Sequence, residues 1–376
     1  MMGLLGWLRE HLLSLALVAS AYTIGYLATI QTRDLFVPDT RYYAAMSLWY
    51  GGTSQEEAAR QVAAHSALFG WESPGPDQLF GWGLVQPRVV YPALSMPFVK
   101  MFGIPGLAVV SGVAMALLLC ALLLLLARRY GQLAALGPVL MICVSVQLMY
   151  YGTAMLTESL SALWSVLLLG VAWRYVRTPT LTGVALLIGL TVLSGFTRQA
   201  TLIPAGAMVM AWFCAALLRQ RPNPWRVPAI TVGGTAIGLQ FAQFWLFPGF
   251  SQLNQLKMKT GADTLGEALR GVPALALEIV RADVTNLAPV DRPLLVLLAL
   301  GLISMVIFWR RTESHMLLGA LLAYELYNVT NGTPTAFRYG MPALAFVAAS
   351  VALLLSRAGR VDARAAMPER ESEPAR

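Results

Sequence analysis

The chain has 376 residues, of which 57% are apolar and 12% charged, with a formal net charge of +8. A water-soluble domain carries roughly a quarter charged residues, so this composition excludes a soluble globular protein and points to a polytopic membrane protein. In such a chain the basic excess is read against membrane topology, and it implies no nucleic-acid partner.

A hydrocarbon core about 30 Å thick takes roughly 20 apolar residues as a helix. Ten stretches qualify: 11–31, 105–127, 131–150, 154–174, 180–197, 200–218, 228–247, 293–309, 315–328 and 339–356. The first continues to Gln31 without a small-residue cleavage site and is expected to be a retained span. The expected fold is therefore all-α, with about ten transmembrane helices in one domain over residues 1–356.

Two long connections interrupt the run, at 32–104 and 248–292. Each mixes polar segments with apolar ones too short to span, such as SLWYGG, LFGWGLVQ and GVPALALEIV, which predicts helices lying in the interface plane. The short connections on one side carry Arg128, Arg129, Arg174, Arg177, Arg219, Arg221, Arg226, Arg310 and Arg311; those on the other carry only Arg198 and Arg338. By the positive-inside rule the arginine-rich side is cytoplasmic, both termini lie on it, and the two long connections face outward. The tail over 357–376 alternates arginine and glutamate without an apolar face and is expected to be disordered in the cytoplasm. Cys120, Cys143 and Cys214 sit inside apolar runs, and His11, His65 and His315 stand apart from one another, so neither a disulfide frame nor a histidine metal site is expected.

The outer helix ends carry the ionisable groups. In VPDTRYYAAM, proline precedes Asp39 as at a helix start, and positions 39, 42, 43 and 46 share one face, aligning Asp39 with Tyr42, Tyr43 and Met46; Arg41 lies between. QPRVVYP brings Arg88 and Tyr91, TESL brings Glu158, and GFTRQA brings Arg198. YELYNVTNGTPTAFRYGMP brings Glu325, Arg338 and Tyr339. A charge within a span costs about 2.5–3.5 kcal/mol on insertion scales, so such groups face a cavity and pair. Arginine offers a planar fork to phosphate oxygens, and a carboxylate can take a proton from an incoming hydroxyl. Such a rim suits transfer of a group from a lipid phosphate, with Arg198 and Arg338 holding the phosphate and Arg88 and Lys257 as further candidates.

The layout resembles the GT-C superfamily of membrane glycosyltransferases. The resemblance rests on an acidic residue early in a long first external loop (Asp39 in PDTRYY), a second long external loop after the seventh helix, and the segments PRVVYP, TESL, TRQA and FRYGMP; it covers residues 1 to about 356. It implies a polyprenyl-phosphate-linked sugar donor, of undecaprenyl or decaprenyl type if the Ala-, Leu-, Gly- and Arg-rich usage reflects a bacterial source. The acceptor would be a glycan, lipid or protein outside the cytoplasm, with inversion at the sugar. Asp39 would be the catalytic acid–base residue, with Glu158 across the cavity; Arg41, Tyr42, Tyr43, Tyr91, Glu325 and Tyr339 would contact substrate. Many members have paired acids where this chain has Asp39-Thr40, which leaves a divalent cation cofactor open. Two other readings stay open on the residues: an O-antigen ligase or polymerase, and a transporter using Gln240, Gln243 and Glu325.

Overall fold

The computed structural model describes residues 2–247, 252–331 and 335–365. Among these the chain is all-helical, with no strand. Helix α1 (Met2–Thr32) leads into a connection built of four helices: α2 (Thr40–Tyr50), α3 (Gln55–Ala67), α4 (Pro76–Gly81) and α5 (Val90–Phe102). A 3-10 turn precedes α6 (Leu107–Tyr130), followed by α7 (Gln132–Val144), α8 (Val146–Thr153), α9 (Glu158–Arg177) and α10 (Leu181–Thr197). A second 3-10 turn, Gln199–Thr201, leads to α11 (Leu202–Leu217), α12 (Arg226–Leu246), α13 (Gln252–Thr260), α14 (Leu265–Val290), α15 (Arg292–Ile307) and α16 (Thr312–Asn331). A third, Arg338–Ala343, runs into α17 (Leu344–Ala365).

All ten apolar stretches fall on helices, and the chain is a multi-pass membrane protein. Five helical segments are long and apolar enough to cross a bilayer: His11–Thr32, Ile104–Tyr130, Glu158–Arg177, Gln199–Leu217 and Arg338–Ala358. A sixth arises if α7 and α8 count as one span, bent by 74°. The stretch 131–150 is thus two helices, not one. Its break is at Ser145, whose hydroxyl accepts from Leu148 N (3.1 Å) and so caps α8. The next stretch starts later than expected, because 154–157 is non-helical and α9 opens on Glu158 itself.

The long connections also differ in detail from expectation. SLWYGG forms the end of α2, but only the first part of LFGWGLVQ is helical, at the end of α4. GVPALALEIV is no short interfacial piece: it lies within α14, a 26-residue helix opened by a capping box between Thr264 and Glu267. Helix α17 continues past 356 to Ala365, and the rest of the expected tail lies outside the described residues.

Helix–helix association in lipid draws on close packing, since the lipid is as apolar as the side chains. Helices α11 and α16 meet at Gly206 and Gly319, where a Cβ on either would collide with the other's backbone. Helix α9 packs against α6, α10 and α17, with Leu118, Leu122, Leu168 and Leu169 fully buried there. This rigid centre carries Glu158 at one end.

Candidate active site

Local hydrogen bonds bring the start of α2 against the start of α9. Thr40 Oγ1 accepts from Val37 N (3.0 Å) and donates to Met155 O (3.1 Å), while Met155 N donates to Leu35 O (3.0 Å). Ser111 of α6 donates to Leu156 O (3.1 Å), and Tyr91 of α5 donates to Leu107 O (3.0 Å). Asp39 is the residue before α2, as the proline ahead of it suggested, but its side chain makes no cap. It is turned instead toward the other charges.

Asp39, Glu158, Arg198 and Arg338 form one network. Arg338 Nη2 donates to Asp39 Oδ2 at 2.5 Å, and Arg338 Nε donates to Glu158 Oε1. Glu158 Oε1 also accepts from Arg198 Nη1 at 2.9 Å, and Arg198 Nη1 lies 3.1 Å from Thr157 Oγ1. A single guanidinium therefore bridges the two carboxylates, far closer than separate compartments would allow. The network is layered: the Glu158 and Arg198 side chains are 1% and 2% exposed, whereas Asp39 and Arg338 are 28% and 16% exposed. Asp39 and Arg338 face the open side; Glu158 lies behind them as a pivot between two arginines.

The tyrosines are packed into the support. The Tyr339 ring has the Arg198 guanidinium 4.5 Å and the Arg338 guanidinium 5.4 Å from its centroid, a plate between two cations. Tyr151, which sequence reasoning passed over, lies 5.6 Å from Arg338 in the same way. Tyr43 is fully buried, accepts from Arg88 Nη1 (2.7 Å) and meets Tyr91 edge-on. Tyr42 is 5% exposed and packs on Trp82. Neither Tyr42 nor Tyr43 offers an open face to a sugar ring in this structure, because both are closed in by the connection's own helices; Tyr91 likewise is a buried strut.

Three further candidates lie apart. Arg41 is spent on the backbone, donating to Pro38 O (2.8 Å) and to Glu72 O. Lys257 is on α13, which packs on α16, and makes no ion pair among the described residues. Glu325 lies in a different cavity, with Asp283 and Tyr324, and its buried Oε2 has no partner.

Electrostatics follow from the geometry. Burial pushes the Asp39 carboxyl up, but the charge and hydrogen bond of Arg338, with the charges of Arg88 and Arg198, outweigh it and hold Asp39 below its ordinary value. Three guanidiniums in this region (Arg88, Arg198, Arg338) face two carboxylates. Arg88 Nε and Arg198 Nε are both buried without an acceptor. A buried charged donor left unsatisfied costs more than the about 1–3 kcal/mol of a neutral one.

Among the described residues no group of three or more acidic, histidine or cysteine side chains is placed to hold a metal ion. The position between the carboxylates belongs to Arg338.

Pro87 and Gln199, the chain neighbours of Arg88 and Arg198, line a cavity of about 460 Å³ together with Gln243, Phe241, Phe244 and Phe247. Gln199 Oε1 and Gln243 Oε1 are buried without donors. Gln199 follows Arg198 in TRQA, in the tight turn between the fifth and sixth apolar stretches.

No family model matches the chain, and no curated protein matches it significantly. Its fold is similar to solved structures of the Archaeoglobus fulgidus oligosaccharyltransferase. One, tethered with an acceptor peptide containing the NVT sequon, matches with a TM-score of 0.52 at 14% identity over 96% of this chain and 51% of that one. Another, archaeal oligosaccharyltransferase AglB in complex with an inhibitory peptide and a dolichol-phosphate, matches with a TM-score of 0.50 at 14% identity over 98% and 53%. The chain spans about half the length of these proteins. The likeness is one of fold.

Proposed function

We propose that the protein is a glycosyltransferase that moves a sugar from a polyprenyl-phosphate carrier to an acceptor hydroxyl. The reaction would take place at the outer face of a bacterial inner membrane, with both termini in the cytoplasm. The observation that carries this reading is the buried site itself: three arginines against two carboxylates, with Arg88 Nε and Arg198 Nε lacking acceptors. A sugar–phosphate–lipid diester brings one negative charge and free oxygens, and so completes the set. The phenylalanine-lined cavity next to Arg198 supplies an apolar path for the isoprenoid chain. The archaeal proteins of similar fold are transferases, one of them solved with a dolichol-phosphate, which supports a lipid-borne donor.

The chemistry is a single displacement. The donor phosphate draws the Arg338 fork toward itself and away from Asp39, which raises the basicity that the ion pair had suppressed. Asp39 then takes the proton of the acceptor hydroxyl as its oxygen attacks the anomeric carbon. The carbon–oxygen bond to the phosphate breaks, and its electron pair leaves with the carrier. Charge grows on the phosphate as this happens, so fixed guanidiniums stabilise the transition state more than the substrate. Glu158 touches neither reactant; it orients Arg198 and Arg338. The acceptor is a glycan, a lipid or a protein.

The experiment is a donor survey with the purified protein in liposomes. Polyprenyl-phosphate sugars should be consumed with acceptor-dependent release of polyprenyl phosphate. Turnover of nucleotide sugars instead, or transport of an intact solute without release of the lipid phosphate, would overturn the reading.

A further inference from the structure

A second polar concentration lies at the far end of the same helices. Helix α9 starts at Glu158 and ends at Arg177; its 20 residues span about 30 Å, the thickness of the hydrocarbon core. Helix α6 ends at Arg129 and Tyr130, and α17, which follows Arg338, carries Arg357. Around these ends is a cavity of about 490 Å³ lined by Arg129, Arg177, Arg310, Arg311, Arg357 and Glu313, with a few uncharged neighbours.

The site is built, not merely decorated. Glu313 is buried and already matched: its Oε1 accepts from Arg129 Nε (3.1 Å), Arg129 Nη2 (2.5 Å) and Tyr130 Oη (2.9 Å). Arg129 also lies 4.4 Å from the Trp173 ring centroid, which fixes it as one wall. The other four arginines make no ion pair among the described residues. Positive-inside bias explains arginines at this end of the bundle. It does not require them to converge from α6, α9, the α15–α16 turn and α17 upon one cavity beside a buried carboxylate that orders the first of them.

We propose that this cavity holds the phosphodiester headgroup of an anionic membrane phospholipid, in the leaflet opposite Asp39. The guanidinium fork matches phosphate oxygens in pairs, and four forks without a carboxylate partner around one space, one of them over the Trp309 ring, favour a headgroup over a diffuse counterion cloud. Membrane position selects a lipid over free phosphate: Ile307 and Trp309, next to Arg310, and Leu355, next to Arg357, are exposed apolar side chains against which acyl chains can run. Basic pockets between helices at the cytoplasmic surface bind such headgroups in general.

The test compares three forms of the purified full-length protein: the parent, the triple variant Arg310→Gln/Arg311→Gln/Arg357→Gln, and the control Arg60→Gln/Arg270→Gln/Arg281→Gln. The control removes the same charge from exposed positions elsewhere. Lipid retained from phosphatidylglycerol and phosphatidylcholine nanodiscs is counted by native mass spectrometry, with inorganic phosphate as a competitor. The parent and the control should prefer phosphatidylglycerol by roughly tenfold or more, the pocket triple should lose that preference, and millimolar phosphate should leave it in place. A preference that survives in the pocket triple, or falls equally in the control, overturns the proposal. Displacement by inorganic phosphate reassigns the cavity to a soluble anion and overturns it as well. Melting in phosphatidylcholine checks that the triple is folded; if it is not, the three single variants carry the same comparison, and full retention by every one of them overturns the site.

Discussion

Glu158 shows how much one buried side chain can hold in place. Its Oε1 serves two guanidiniums, Arg198 and Arg338, and its side chain is 1% exposed. Removing its charge leaves buried Arg198 without a carboxylate and Arg338 with Asp39 alone, and breaking a buried pair in this way costs about 3–5 kcal/mol. Glu158→Gln should therefore lower the melting temperature of the purified protein sharply; parent-like melting would show that the arginines are held by something else. The gathering of Asp39, Arg88, Glu158, Arg198 and Arg338 was legible in the sequence, because charges are scarce in this chain and these stand at helix ends on one side. That one glutamate anchors two arginines was not legible, since pairing depends on how separate turns meet. The burial of Tyr42, Tyr43 and Tyr91 was not legible for the same reason: a tyrosine near a charge can face a substrate or brace the protein, and its sequence looks the same in both cases.

At the scale of elements, Asp291 joins two helix starts. Its carboxylate accepts from Ser145 Oγ (2.6 Å), from Gln147 N (2.7 Å) at the start of α8 and from Leu294 N (3.0 Å) in the first turn of α15. Losing one N-cap costs about 0.5–2 kcal/mol, and here two helices share the acceptor. Asp291→Ala should thus destabilise the protein by about 2 kcal/mol or more in thermal or denaturant unfolding, and Ser145→Ala should cost less in that background than in the parent, because the bond between the two side chains is already gone. Additive losses would mean that the two helix starts are independent. The bend at Ser145 escaped sequence reading because apolar residues run through it and the nearest proline, Pro138, lies within α7. The length of α14 escaped because Glu278, Arg281 and Asp283 interrupt its apolar pattern. Asp283 has a task of its own: it accepts from Tyr324 Oη (3.1 Å) and Ala336 N (2.8 Å), tying α14 to the turn before Arg338. Within that turn Phe337 takes a left-handed φ of 65°, and a Cβ at Gly340 would strike its ring.

Across the whole molecule, polar groups collect at two opposite ends of an apolar bundle, and each end has its own charge balance. At one end two carboxylates and three arginines gather, two of the arginines with an unmatched buried donor; at the other, arginines dominate. The central claim is that the first end separates two tasks, with the arginines holding a lipid phosphate and Asp39 moving a proton. Donor binding and turnover, measured side by side on folded Asp39→Asn protein, test it most directly. General-base catalysis contributes about 10²- to 10⁴-fold, so turnover should fall by that factor. Binding of the polyprenyl-phosphate sugar should change little, because Arg88, Arg198 and Arg338 are intact. Near-parent turnover in Asp39→Asn, or binding lost in step with turnover, would contradict the account.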